Sequence, residues 1–310
     1  MTLDKLLSTL FETPEPVDGS NMRRFLTAAR GATDTPDPFE RLVHVAMRAD
    51  RRTAAAAAGH QAAILRLFPE VPPGAITAFC VSEEGGARPT AIQATLQAQP
   101  DGRHLLSGEK KWGTMSPDAD TLFIAASIGT ETIDGRERNQ IRMVGIPADR
   151  SGIQLTPRTH DGIVSEMRIA DLSLRDVEVL PDEVREGDGF QKYVKPFRLI
   201  EDVFGNAGTQ IAAFGFGRRH DWPQNELEDL LALITQAWAI SQTDMAAAPA
   251  VLAMAAYFRR SNEVWESLSD SWSRATPAEL ERWHPEVGLL QVAQKAREIG
   301  RERAWGSLQK

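Results

Sequence analysis

Residues 79–114, FCVSEEGGARPTAIQATLQAQPDGRHLLSGEKKWGT, leave the chain little choice of local structure. The apolar run Ala78-Phe79-Cys80-Val81 stops at Ser82-Glu83-Glu84-Gly85-Gly86, where paired glycines after charged residues predict a sharp turn. Residues 92–97 alternate branched and polar side chains, the period of a half-buried strand. Pro100-Asp101-Gly102 supplies a hairpin turn. Leu105-Leu106 then runs through Ser107-Gly108 into Glu109-Lys110-Lys111-Trp112, which reads as a second hairpin. The segment is therefore β-rich, with two turns.

The flanks follow other periods. Residues 3–11 and 22–29 read as short amphipathic helices, and Asp37-Pro38 as a capped helix start. A long helix is predicted over 39–68, centred on the alanine run 54–58, a tract that lets a neighbouring helix approach closely. Pro69 and Pro72-Pro73-Gly74 mark a boundary. Strands are predicted over 121–127, 141–147, 152–155 and 167–179, with a polar hairpin or exposed loop at 129–139. After Phe190 the pattern is helical, over 191–216, 225–242, 247–270 and 287–307, as in an antiparallel four-helix bundle. Met254, Tyr257, Trp265 and Trp272 fall near helical spacing and read as core. The fold class is α+β in three domains: N-terminal helices (1–74), a middle β-domain (75–186) and a C-terminal bundle (187–310).

Composition removes several functions. A net charge of −8 argues against a nucleic-acid surface. The one cysteine, Cys80, lies in an apolar run; it offers no disulfide framework or cysteine-based zinc site and reads as a buried, inert thiol. Six scattered histidines make no metal site, and no run approaches the length of a membrane span. The N-terminus has no signal-peptide pattern, so a cytoplasmic location is expected.

The central stretch resembles the β-domain of acyl-CoA dehydrogenases, whose V-T-E-P-x-A-G-S-D turn precedes a G-x-x-x-x-x-x-G-x-K-x-W-I-T segment. Here Val81-Ser82-Glu83-Glu84 is followed, in the same register, by Gly102 and by Gly108-Glu109-Lys110-Lys111-Trp112-Gly113-Thr114. Asp176-Val177-Glu178-Val179-Leu180-Pro181 is similar to the family's closing strand. The likeness is specific over about residues 76–217 and architectural outside, with an abbreviated N-terminal domain. It implies an FAD site in which Trp112 packs on the flavin and the Thr114 and Ser82 hydroxyls reach its ring. Gly86-Ala87-Arg88-Pro89 replaces the family's Ala-Gly-Ser-Asp, so Arg88 is the residue available for a phosphate there. Gly217 to Pro223 stands where the family has R-x-x-F-G.

Family members draw their catalytic base from a C-terminal Y-E-G turn, absent from 281–310, or from the first C-terminal helix. Anchoring on Gly205 and Gly208 puts Arg198 at the latter position, and Glu201 one turn on. On a helical period Glu201 shares a strip with Phe197, Gly205 and Gly208, beside Ile200, Phe204 and Ile211. It reads either as a desolvated general base or as the partner of Arg198 in an ion pair, with Asp202 facing away. The resemblance implies dehydrogenation of an acyl thioester, on CoA or a carrier protein, by a homodimer or homotetramer. The altered phosphate turn and missing C-terminal glutamate also admit a catalytically silent structural or regulatory subunit.

Overall fold

The computed structural model describes residues 1–31, 35–72, 74–159, 166–283 and 294–309. They pack as two compact units, Met1–Pro69 with Leu199–Lys310, and Glu70–Arg198.

The helical unit opens with α1 (Leu3–Leu10), α2 (Met22–Arg30), α3 (Pro38–Ala46) and α4 (Arg52–Leu67). Asp37 caps α3 as expected: its carboxylate accepts the Glu40 N–H at 2.9 Å, with Pro38 in the first turn. The helix predicted over 39–68 is two helices. Residues 47–51 leave the helix because a distant segment takes their polar groups. The Val17 N–H donates to the Arg48 carbonyl at 2.8 Å, and the Gly19 N–H to Asp50 Oδ1 at 2.9 Å.

The alanine run packs as core. Ala54, Ala55, Ala57 and Ala58 are buried, and α4 lies backbone to backbone on α5 (Lys195–Arg219). A Cβ on Gly59 would stand 2.6 Å from Gly205 Cα and from the Phe204 carbonyl, so only glycine permits this crossing. The remaining helices are α6 (Gln224–Ser241), α7 (Ala248–Ser267), the short α8 (Pro277–Trp283) and α9 (Gln294–Leu308). Part of the predicted helix 287–307 lies outside the described residues. A buried polar chain ties α5 to α7: Tyr257 Oη donates to Gln210 Oε1 at 2.8 Å, and Gln210 Nε2 to Ser261 Oγ at 3.0 Å. Of the four residues read as core, Met254, Tyr257 and Trp272 are buried and Trp265 is partly so.

The second unit holds one curled, mixed sheet: β1 (Thr77–Cys80), β2 (Thr95–Ala98), β3 (His104–Thr114), β4 (Thr121–Ile133), β5 (Arg136–Pro147), β6 (Ile153–Pro157) and β7 (Ile169–Val179). The strand order is β1-β4-β2-β3-β7-β6, with β5 on the other side of β4. β1 and β2 run parallel to β4; the remaining pairs are antiparallel. Leu96, Leu106, Leu122, Ile124, Val144, Leu172 and Val177 form the centre of its core, as their alternation requires. Cys80 joins them, and burial pushes its thiol up to about 12. Residues 129–139 extend β4 and β5 into one long hairpin.

The Asp101-Gly102 turn links β2 and β3 as expected. No second hairpin follows. β3 runs unbroken to Thr114, absorbing Ser107-Gly108 as an irregularity in its pairing with β7. Gly108 has φ +143°, and a Cβ there would meet Ala94 at 2.6 Å. Gly108→Ala is expected to cost about 1–3 kcal/mol, the scale of a forced backbone outlier. An unchanged denaturation midpoint would show that the strand shifts at no cost. Among the described residues no helix is long and apolar enough to cross a membrane.

Candidate functional site

The turn and strand that the sequence singled out are joined by a buried ion pair. Lys110 has no exposed side-chain area, and its Nζ lies 2.6 Å from Glu83 Oε1 and 3.3 Å from the Val81 carbonyl. Glu83 also accepts the backbone N–H groups of Gln93 (2.7 Å) and Ala94 (3.1 Å). Burial holds the Lys110 ammonium below the ordinary lysine range, against the opposing pull of Glu83. The turn at Glu83-Glu84-Gly85-Gly86 closes through reciprocal Glu83 and Gly86 backbone bonds of 3.1 and 2.9 Å. The motif's glutamate and lysine thus staple its turn to β3. Sequence reasoning missed the pair: Glu83 stands in a charged turn and Lys110 in a charged run, and neither setting marks a buried ion.

Beyond Lys110 the strand bulges. Lys110 pairs with Leu172 and Gly113 with Ala170, so Lys111 and Trp112 together face Asp171. Trp112 takes φ +60°, and the residue is 53% exposed. Its N–H donates to Asp171 Oδ1 at 3.2 Å, and the Lys111 N–H donates to the Ser82 carbonyl at 2.7 Å. Asp171 also takes both bonds, 2.9 Å each, from Arg158 Nη1. Against the opposing effect of burial, these donors hold Asp171 below the usual carboxylate range. The Arg158 guanidinium lies 3.7 Å over the indole.

The structure therefore brings Ser82, Trp112 and Thr114 together around one bulged strand. Ser82 and Thr114 are half-buried, and neither hydroxyl has a hydrogen bond among the described residues. Arg88 is exposed just before a short 3₁₀ turn, Pro89–Ala91.

Glu201 belongs to the helical unit, and its partner there is not Arg198. Its Oε1 lies 2.7 Å from Nδ1 of His60 on α4; the side chains are 42% and 7% exposed, respectively. The Gly59–Gly205 crossing places the two helices close enough for this bond. Among the described residues nothing stands within 4 Å of where a Cβ on Gly205 would be, leaving space one turn from the carboxylate. Asp202, expected to face away from Glu201's strip, meets a different helix: it binds Arg297 of α9 through two bonds of 3.1 Å. His60 lies 141 residues from Glu201, so no local pattern pointed to it.

The sequence matches no family model and no curated protein. Solved structures do match. Butyryl-CoA dehydrogenase from Megasphaera elsdenii aligns over 95% of this chain and 91% of its own, at 14% identity and a TM-score of 0.61. A chain described as the electron transferring flavoprotein of Acidaminococcus fermentans aligns over 98% of both, at 14% identity and a TM-score of 0.65. An acyl-CoA dehydrogenase from Geobacillus kaustophilus covers 76% of this chain and 70% of its own, at 13% identity and a TM-score of 0.52. The chain has an acyl-CoA dehydrogenase-like fold, as its motifs implied.

Proposed function

We propose that this chain is an FAD-dependent oxidoreductase that removes hydrogen from the α and β carbons of an acyl thioester, carried on CoA or a carrier protein. The observation that supports it most is the exposed Trp112 indole, fixed on a bulge of the strand that carries Thr114 and bonds the Ser82 carbonyl, two half-buried residues whose hydroxyls have no hydrogen bond among the described residues. An apolar plane next to unused donors suits a flat heterocycle with polar edges. In this reading Trp112 covers the ring, Thr114 and Ser82 meet its edge, and Arg88 pairs with a phosphate. FAD held there would supply a hydride acceptor for the substrate β-carbon. Glu201 takes the α-proton: Oε1 is held by His60, leaving Oε2 to accept.

Purified protein should be yellow and, as a homodimer or homotetramer, should sediment above 34.1 kDa. Trp112→Ala should weaken flavin binding by about 2 kcal/mol, roughly thirtyfold, for the loss of a large apolar contact. Stoichiometric flavin at unchanged affinity in that variant would put the ring elsewhere. A second reading, a catalytically silent subunit, is favoured by Arg158, which already covers a face of Trp112. Colourless protein that takes up no added FAD would move the weight to it.

A further inference from the structure

One cavity of the helical unit is not lined by Glu201. About 770 Å³ in volume, it is lined by residues of α4, α7 and α9 and of the turn after α7. That size suits a small organic ligand. Its lining sorts into three chemistries. Arg52, Arg259, Arg297 and Arg301 supply four guanidinium groups. Two are committed to the walls: Arg297 binds Asp202 and lies 4.2 Å over Phe258, and Arg52 lies 5.9 Å over Trp265. Arg259 and Arg301 are exposed, rise from different helices, and make no salt bridge among the described residues.

The second chemistry is aromatic. Trp265 and Trp272 line the cavity as near-parallel rings, with centroids 6.5 Å apart and 10° between their planes. The Trp272 Nε1–H is buried without an acceptor, a donor that a native interior rarely leaves unused. The third is acidic: Glu266 and Glu298 line the same space and can accept from hydroxyl or amino groups.

We propose that this cavity binds a nucleoside phosphate. Arg259 and Arg301 would take the phosphates through charge-assisted bonds, Trp265 would meet the face of the base, and the carboxylates would receive its hydroxyl or amino hydrogens. A purely apolar ligand would leave the two arginines unpaired, and an inorganic anion would leave the aromatic wall unused. The inference does not rest on the flavin reading: every residue it uses lies in the helical unit, and none carries the proposed redox chemistry.

The test is calorimetric titration of the full chain with ADP in the presence of excess FAD, followed in parallel by tryptophan fluorescence. Saturable one-to-one binding is expected, with adenosine and inorganic pyrophosphate each at least about tenfold weaker than ADP. Arg259→Gln and Arg301→Gln, both exposed and tolerable to the fold, should each weaken ADP by about tenfold or more, the loss of one charge-assisted bond. Absence of saturable ADP binding would overturn the proposal, as would binding that FAD abolishes or that neither substitution changes.

Discussion

Lys110→Ala is expected to lower the unfolding free energy by about 3–5 kcal/mol, the scale of leaving one member of a buried pair uncompensated. The lysine stem is fully buried, and its ammonium is the cation for a Glu83 side chain that is only 7% exposed. The N–H groups of Gln93 and Ala94 would still donate to Glu83, so the carboxylate would remain where it is without its charge partner. Damage should therefore centre on the 83–86 turn, which carries Ser82 beside β3. Lys110→Met with Glu83→Gln separates charge from shape. It removes both ions but keeps an acceptor for only one of the two N–H groups, since Gln93 donates to Oε2 and Ala94 to Oε1, and should recover part of the loss. Urea denaturation of the single and double variants reads the coupling directly. A loss below about 1 kcal/mol for Lys110→Ala would mean that water enters and solvates Glu83.

That pair also shows where sequence reading stops. The Asp101-Gly102 turn, the alternation of β7 and the Asp37-Pro38 cap are local, and the structure has them. Nothing in Glu109-Lys110-Lys111, read as part of a second hairpin, marks one lysine as buried, because a bulge breaks the strand's two-residue period just beyond it. Without that register shift, the burial of Lys110 and the exposure of Trp112 do not follow from alternation. The break between α3 and α4 is invisible for a different reason. The alanine-rich pattern favours continuation, and the groups that stop it, the N–H of Val17 and of Gly19, come from about thirty residues away. The fold's identity was legible since the turn and strand motifs keep their spacing. The surroundings of Glu201 were not, because they depend on a helix crossing made by Gly59 and Gly205.

Glu201→Gln should leave the fold intact and slow flavin reduction by about 10²- to 10⁴-fold, the contribution of a general base. The amide keeps an oxygen that can accept from His60 Nδ1–H at the position of Oε1, so helix packing and the 2.7 Å contact have no reason to change. What is lost is the second oxygen's capacity to take a proton. Stopped-flow reduction by the thioester that reduces the wild type fastest reads that loss, and thermal melting confirms the fold. Glu201→Ala is a poorer probe, since it removes the acceptor of a His60 side chain that is only 7% exposed. Asp202→Asn makes the informative contrast. Asp202 anchors Arg297 and with it α9, so its substitution should lower the melting temperature and leave reduction nearly unchanged. Equal, mild slowing in both variants would mean that α5 carries no base. The chain would then be a dehydrogenase fold serving a structural partner, in keeping with the arginine already lying across Trp112.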